Sequence, residues 1–550
     1  MIGQAARQLT TSLRAVAAVF ANPEVRSLEL AWVASSFAMW SFAIALGVYA
    51  FDVGGATAVG VAALVRLLPA AFVSPFAGLL GDRHSRRMVL LWSSLAGALA
   101  AGCAAIAAAA GSSEAVVFAL AGVVTIASTP YVPAESALLP AVARSPQELS
   151  GANVARGAMD NVGFLLGALA SGAMLAAASP QAVFAAAAGG SLIAAALLLR
   201  LRPDERPAYA SETSRGALHE TGLGLAAFAA DRDLRLIGET FGLLVFFEGA
   251  ADVLVVIVAL DLLGLGGGSV GYLNAAWGIG AVLAAPLLAV LLEQRRLATG
   301  LVAGAFITGA EMMLPAVWVV PLAAYLAWAG QGLGYEFVNV AARTLLQRLG
   351  SDEVLARVVG TLETLRFVAM AAGSIVAPAL VALLGIEGAL IAFGAILPLY
   401  ALLRWSRLRS FEIGSPVDEE HFRLLRANPI FAPLPVDRLE RISRDLAPVS
   451  AVTGEEIITQ GEVGDRFYLI ERGEVEVIEN GSFRRRESPG ESFGEIALLH
   501  DVTRTASVRA TTETTLLALE REQFLNAVTG HRRSHEAATS VAGERWGKVS

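Results

Sequence analysis

The sequence predicts an all-α membrane domain of twelve transmembrane helices in two six-helix halves, followed by a soluble α+β domain built on a β-roll. Three observations predict it. Hydrophobic residues make up 55% of the 550 residues and charged residues only 16%, with a mean hydropathy of +0.60. Soluble proteins carry about 25% charge. The charge is also uneven: residues 1–410 hold 24 Arg and 25 Asp or Glu, whereas residues 411–550 hold 16 Arg, one Lys and 24 Asp or Glu. Finally, the apolar part divides into runs of about 20 residues, the length that crosses a bilayer, while the tail shows short alternating runs.

Residues 1–26 form a weakly amphipathic segment with Arg7, Arg14 and Arg26 and without the small-residue site of a cleaved signal peptide. Six apolar runs follow, at 27–51, 57–81, 88–111, 115–139, 152–178 and 181–201, making the first half, 27–201. A loop at 202–233, rich in Asp, Glu, Arg, Pro and Ser, separates them from six more at 234–262, 268–292, 297–319, 321–345, 355–384 and 386–406. The second half is thus 234–409, a linker takes 410–420, and a soluble domain takes 421–550. Connections carrying Arg83, Arg86, Arg87, Arg144, Arg200, Arg202, Arg206, Arg215, Arg232, Arg235, Arg295, Arg296, Arg348 and Arg357 alternate with connections that hold no Lys or Arg. Positive charge marks the cytoplasmic side. Both termini then lie in the cytoplasm, which requires an even number of crossings, and the protein belongs in the cell inner (plasma) membrane.

Gly163, Gly167 and Gly172 in the fifth run predict close helix packing and a helix able to bend. Cys103, the single cysteine, rules out an intrachain disulfide and reads as a small packing residue. The six histidines are scattered, and His531 and His535, at helical spacing, read as solvated, so neither a metal site nor an enzyme is predicted. The acidic tail, with a net charge of −7, argues against nucleic acid as a partner.

Ionisable groups inside spans are costly and face a cavity or a partner. Here they are Arg66, Glu135, Asp160, Glu239, Glu248, Asp252, Glu311, Glu336, Arg343, Glu363 and Arg366, while Glu29, Asp52 and Arg156 sit nearer span ends, within reach of the interface. Glu248 and Asp252 are four apart and share a helix face, either as a proton site or as separately paired polar groups. Glu363 and Arg366, three apart, pair with each other or across helices. Arg66 either binds an anionic substrate or neutralises Asp160 or Glu135.

The connection after the second run reads GLLGDRHSRRMVL, Gly78 to Leu90. Gly78 permits close approach, and Asp82 at a helix C-terminus wants a cation, which Arg83, Arg86 and Arg87 supply. The spacing resembles the signature loop of the major facilitator superfamily, G-x-L-x-D-R-x-G-R-R, with Ser85 in place of the second glycine. The resemblance implies an inter-helix charge latch formed by Gly78, Asp82, Arg83, Arg86 and Arg87. A weaker copy, LLEQRRLATG at 291–300, has Glu293 in place of the Asp, as two related halves would show. The stretches 132–154 and 342–364, with VRLLPA in the second run, look like the drug-exporter branch, and the resemblance covers about 25–405.

In the tail, 417–449 has helical spacing with Pro breaks, then EEIITQG, RFYLIERG, EVEVIENG, TASVRA and TLLALE alternate as strands of a small antiparallel barrel or roll. Residues 520–545 turn helical again. Between the strands lies PGESFGEIALLHDVTRTASVRA, Pro489 to Ala510. Gly494 lets a ligand approach the backbone, Glu495 accepts from hydroxyls, and Arg504 suits a phosphate, although the last two alone could form a local salt bridge. The order resembles the phosphate-binding cassette of cyclic nucleotide-binding domains: Phe493, Gly494, Glu495, Ile496, Ala497 and Leu498 match its first block, and Arg504, Thr505, Ala506, Ser507 and Val508 its second. Gly454, Gly461, Gly464 and Gly473 stand where that family turns its strands. The resemblance implies that Glu495 binds the ribose 2′-hydroxyl, that Arg504 binds the cyclic phosphate, and that N–H groups after Gly494 help. Thr503 stands where many members have Pro. Thr505 leaves cAMP or cGMP open, with a lean to cAMP, and Trp546 either stacks on the base or faces solvent or the membrane surface.

Together these readings describe a secondary active transporter of a small organic solute, exporting and proton-driven, regulated by a cyclic nucleotide at its cytoplasmic domain. Its partners are the lipid bilayer, the nucleotide and an unidentified small-molecule substrate. A membrane-anchored nucleotide receptor without transport, or a carrier with a merely structural tail, are the alternatives.

Overall fold

The structure, a computed structural model, describes residues 20–144, 146–202, 217–293, 297–349, 352–413, 419–434, 436–529 and 532–546. The chain divides into two compact units, Met1–Glu412 and Ile413–Ser550.

The first unit is helical. Its helices are α1 (Pro23–Arg83), α2 (Arg86–Ala109), α3 (Glu114–Ser128), α4 (Tyr131–Val142), α5 (Pro146–Ala177) and α6 (Pro180–Leu198), then α7 (Ala217–Ala230), α8 (Arg232–Ile257), α9 (Gly268–Glu293), α10 (Leu297–Val317), α11 (Pro321–Leu349), α12 (Asp352–Leu403) and α13 (Trp405–Ile413). Among the described residues nine helical stretches are long and apolar enough to cross a membrane. Two exceed a single crossing: Pro23–Ala77 has 55 residues and Thr361–Leu403 has 43. At 1.5 Å per residue each is about twice the thickness of a bilayer core, or more. Both are broken, at Gly54–Gly55 in α1, where Gly55 has φ 61°, and at Gly385 in α12, with φ 76°. These left-handed positions are where glycine has no Cβ to clash.

Small residues set how closely helices approach. A Cβ on Gly163 would stand 2.6 Å from that of Ser36, and one on Gly167 would stand 3.0 Å from the Phe37 carbonyl, so α5 lies against α1. Between the halves, a Cβ on Gly172 would come within 2.8 Å of the Tyr272 ring and 3.0 Å of the Gly268 carbonyl, and one on Gly271 would run into the Gly172 backbone. On α1, a Cβ at Gly60 would stand 2.7 Å from both Pro378 Cγ and the Ser374 carbonyl of α12. Phe42, Phe184, Phe247 and Phe393 are fully buried in the main core, and a separate core in the first half gathers Leu28, Trp32, Leu90, Tyr131, Leu139 and Leu198. Cys103, expected as packing, is exposed on α2.

The second unit begins with α14 (Glu419–Ala427) and α15 (Val436–Asp445). Strands β1 (Ala447–Ala451), β2 (Glu456–Ile458), β3 (Arg466–Arg472), β4 (Val475–Glu479), β5 (Ser482–Glu487) and β6 (Ser492–Phe493) precede α16 (Glu495–His500), and β7 (Ser507–Ala510), β8 (Thr514–Glu520), α17 (Arg521–Thr529) and α18 (Arg532–Trp546) complete it. The strands form two antiparallel sheets, ordered β1-β8-β3-β6 and β2-β7-β4-β5. Alternation drives this: in β4, Val475 and Val477 are buried while Glu476 between them is less so. Phe467 of β3 stacks on Phe524 of α17 at 4.6 Å and meets Phe431 edge-on, which fixes the helices to the sheet.

Candidate functional site

The turn between β6 and β7 brings the predicted tail residues together. Gly494 takes φ 92°, which only glycine adopts without strain, and a Cβ there would stand 2.8 Å from Arg504 Nη1. α16 starts at the next residue, so Glu495, Ile496 and Ala497 form its first turn. Arg504, 5% exposed, lies in the segment leading to β7. Its Nη1 donates to the Gly494 carbonyl at 3.0 Å, and its Nη2 donates to the Arg466 carbonyl at 2.7 Å and to Asp465 Oδ1 at 3.3 Å. These bonds occupy three of the five N–H donors of a guanidinium. Its backbone is pinned as well, the Arg504 amide donating to the Glu462 carbonyl at 2.8 Å and the Gly461 amide to the Arg504 carbonyl at 2.9 Å. Burial lowers the Arg504 pKa from its ordinary value, with Tyr468 and Asp465 opposing. Thr505 and Ala506 follow, half-buried.

Glu495 is 1% exposed. Its Oε1 accepts from Arg545 Nη1 at 2.7 Å, and its Oε2 is buried without a hydrogen-bond partner. Arg545, on α18, also donates to the Ser492 carbonyl at 2.6 Å and lies 3.4 Å from Glu487. These acids hold the Arg545 guanidinium above its usual value against the opposing effect of burial. Arg545 stands fifty residues from its partner and carries no motif, and Asp465 is visible only as the residue after Gly464, so neither had a signal in the sequence. The Trp546 side chain lies outside the described residues.

In the first unit the predicted charges sort into cross-helix pairs. Arg66 of α1 meets Asp252 of α8 at 3.6 Å, and Arg366 of α12 meets Glu248 of α8 at 3.2 Å. The two acids expected on one face of α8 therefore each have their own cation. Arg66 reaches Asp252 rather than Asp160 or Glu135, because the first and second halves meet there. Glu363 lies 3.5 Å from Arg343 of α11, so it pairs across helices and not with Arg366. Asp160 accepts from Ser36 Oγ at 3.2 Å, and Glu135 is bound by Arg156. Glu29, expected at the interface, is fully buried. Arg66 and Asp252 line a narrow cleft together with Trp40, Gly47, Val256 and Asn274.

Of the expected latch, the surroundings of Gly78 and the side chains of Asp82 and Arg83 lie outside what the structure describes, as do the side chains of Glu293, Arg295 and Arg296 of the second copy. Arg86 Nη1 donates to the Ala137 carbonyl at 3.0 Å, and Arg87 donates to the Leu198 and Leu199 carbonyls at 3.1 and 3.0 Å, at the C-terminal end of α6 where a helix dipole favours cations. No group of His, Cys, Asp and Glu able to hold a metal occurs among the described residues.

Comparison with known proteins adds family likeness to this geometry. Residues 448–531 match the family model of the cyclic nucleotide-binding domain. A stretch of 106 residues is 37% identical to the cAMP-dependent protein kinase regulatory subunit of Yarrowia lipolytica, covering 19% of this chain and 28% of that protein. The chain thus spans little over a quarter of that relative. Among solved structures, cAMP-bound PfPKA-R is 30% identical over 20% of this chain and 40% of its own, with a TM-score of 0.19. The regulatory subunit of a cAMP-independent protein kinase A from Trypanosoma brucei is 21% identical over 24% of this chain and 51% of its own, with a TM-score of 0.22. Residues 30–247 match the Major Facilitator Superfamily model. Families of both kinds are usually non-enzymatic. The chain therefore joins a Major Facilitator Superfamily region at 30–247 to a C-terminal cyclic nucleotide-binding domain that resembles protein kinase A regulatory subunits.

Proposed function

We propose that the protein is a solute carrier whose second unit binds a cyclic nucleotide, cAMP in preference to cGMP, and that occupancy of this site regulates transport. The observation that carries the reading is the turn at 494–504: a buried carboxylate with one oxygen unpartnered faces the same loop system as a buried guanidinium with donors to spare. A ribose hydroxyl suits Glu495 Oε2, and a cyclic phosphate suits the remaining donors of Arg504. Preference for cAMP is supported by the relative from Yarrowia lipolytica, a cAMP-dependent kinase subunit.

Counting each broken helix as two crossings and adding α11 to the nine candidate spans turns nine into twelve, in halves of six with both termini on the cytoplasmic side. The cleft bearing Arg66 and Asp252 suits a small solute with groups of both polarities. Outward, proton-driven movement follows the likeness to drug exporters. For regulation, the nucleotide must bind one carrier conformation more tightly than another, because equal affinity shifts no equilibrium.

Calorimetric titration of the full-length protein with cAMP and with cGMP tests the site. Saturable heat with cAMP, absent in Arg504→Ala, is expected, and wild-type protein that takes up neither nucleotide refutes it. Counterflow in proteoliposomes with and without cAMP then tests regulation. An unchanged rate in a protein that binds cAMP would reduce the tail to a receptor or a structural module.

A further inference from the structure

Five buried polar atoms without hydrogen-bond partners gather in one place in the first half: both Oε atoms of Glu29, Trp32 Nε1, Tyr131 Oη and Glu135 Oε1. Glu29 and Glu135 are 0% exposed, Tyr131 2% and Trp32 7%. They form one cluster. The Trp32 and Tyr131 rings lie 5.4 Å apart, and the Arg156 guanidinium sits 5.3 Å from the Trp32 ring and binds the other oxygen of Glu135. Glu29 lies within electrostatic reach of Glu135 and Arg156, as Tyr131 does of both acids. Asp160, a turn beyond Arg156 on α5, acts on Glu135 from farther away. Val89 and Leu90 of α2 and Ala194 and Leu198 of α6 belong to the same buried cluster, and Arg86 of α2 donates to the Ala137 carbonyl, two residues from Glu135 on α4.

The charges do not balance. Two buried carboxylates share one guanidinium, and that cation is already committed to Glu135. A buried ion without a partner is far costlier than a neutral acid that makes hydrogen bonds. Binding one proton corrects both deficits, since a carboxylic acid is a donor as well as an acceptor. A protonated Glu29 carries no charge to set against Glu135 and gains a donor for an acceptor nearby. A metal cation would meet repulsion from Arg156, whereas a proton forms an O–H bond within the carboxyl group itself.

We propose that Glu29, set against Glu135, Tyr131, Trp32 and Arg156, is a proton-binding site enclosed in the first half. Loading converts one carboxylate to a carboxylic acid, and no other covalent bond changes. Use of this proton to drive transport rests on the carrier reading above, but its occupancy does not.

Infrared difference spectroscopy of the full-length protein over a pH series tests the site without any transport assay. Glu311, buried on α10 with both carboxyl oxygens unpartnered, is a second candidate source of an acid band, so wild type is compared with Glu29→Gln, which keeps the side chain's shape. The expected difference is a protonated-carboxyl C=O band that is present in wild type, absent in Glu29→Gln and lost on alkalinisation. In Glu135→Gln, which removes a negative neighbour and releases Arg156, that band is lost about one pH unit or more lower. Sodium at fixed pH leaves it unchanged. Identical spectra for wild type and Glu29→Gln at every pH overturn the proposal, and so does a band displaced by sodium. Neither result bears on whether the protein carries a solute, and a transport failure would leave the infrared result standing.

Discussion

The two units of this chain handle buried charge in different ways. In the nucleotide-binding domain, Arg504 is held largely by main-chain carbonyls, that of Gly494 in the turn after β6 and that of Arg466 at the start of β3. In the membrane region, Arg66 and Arg366 are held by carboxylates on other helices, Asp252 and Glu248. A charge cradled by backbone keeps its place whether or not a ligand arrives. A charge held by a side chain on another helix changes partner when the helices move. The first arrangement suits recognition, and the second suits a device that alternates.

The largest expected effect tests the first arrangement. Arg504→Ala should weaken cAMP binding by about 2–5 kcal/mol, read by calorimetry. If binding survives, Arg504 is only a brace for its loop and the contrast fails. Next comes the membrane pair. Arg366→Ala leaves Glu248 without its cation and should lower the stability of the full-length protein by about 3 kcal/mol in thermal unfolding, whereas Glu248→Gln combined with Arg366→Gln should recover much of it. Equal loss in the single and double variants would show that the pair acts through packing. Gly494→Ala forces a side chain into a left-handed position beside Arg504 and should cost about 1–2 kcal/mol in the same measurement. Its affinity for cAMP should fall with it.

The smallest effect sharpens the comparison inside the tail. Burial raises the Glu487 pKa above the ordinary carboxylate value, opposed by Arg545 and Arg485. The folded state therefore keeps its proton to higher pH than the unfolded chain. The resulting stability is complete below the unfolded value and is lost as pH rises through the folded one. Glu487→Gln should flatten that part of the stability profile, and an unchanged slope would assign it to another group.

Legibility followed distance along the chain. Glu495 and Arg504 are nine residues apart, so one loop spelled out both, and the alternation in β4 announced its buried face directly. Arg66 and Asp252 are separated by almost two hundred residues. Each was recognisable as a costly charge, but the partner depended on how the halves meet, which no local pattern records. Glu29 misled for the same reason: its place near a helix end suggested escape to the interface, yet it is fully buried, within electrostatic reach of Glu135 of α4. The breaks at Gly54–Gly55 and Gly385 fell where short gaps between apolar runs were expected, because the chain must turn within a few residues there.

The bare contacts of Gly172 with Gly268 and Gly271, and of Gly60 with Pro378, have a mechanical consequence. They sit toward the end of the bundle whose connections lack Lys and Arg, and they bring one half's backbone close against the other, with only the Tyr272 and Pro378 rings beside the glycines. In a carrier that rocks its halves, such a joint would be the fulcrum, and a small rotation there would become the widest travel at the arginine-bearing end. Bulk added at the joint, as in Gly172→Leu, would act as a wedge and hold the halves apart at the end where they now touch.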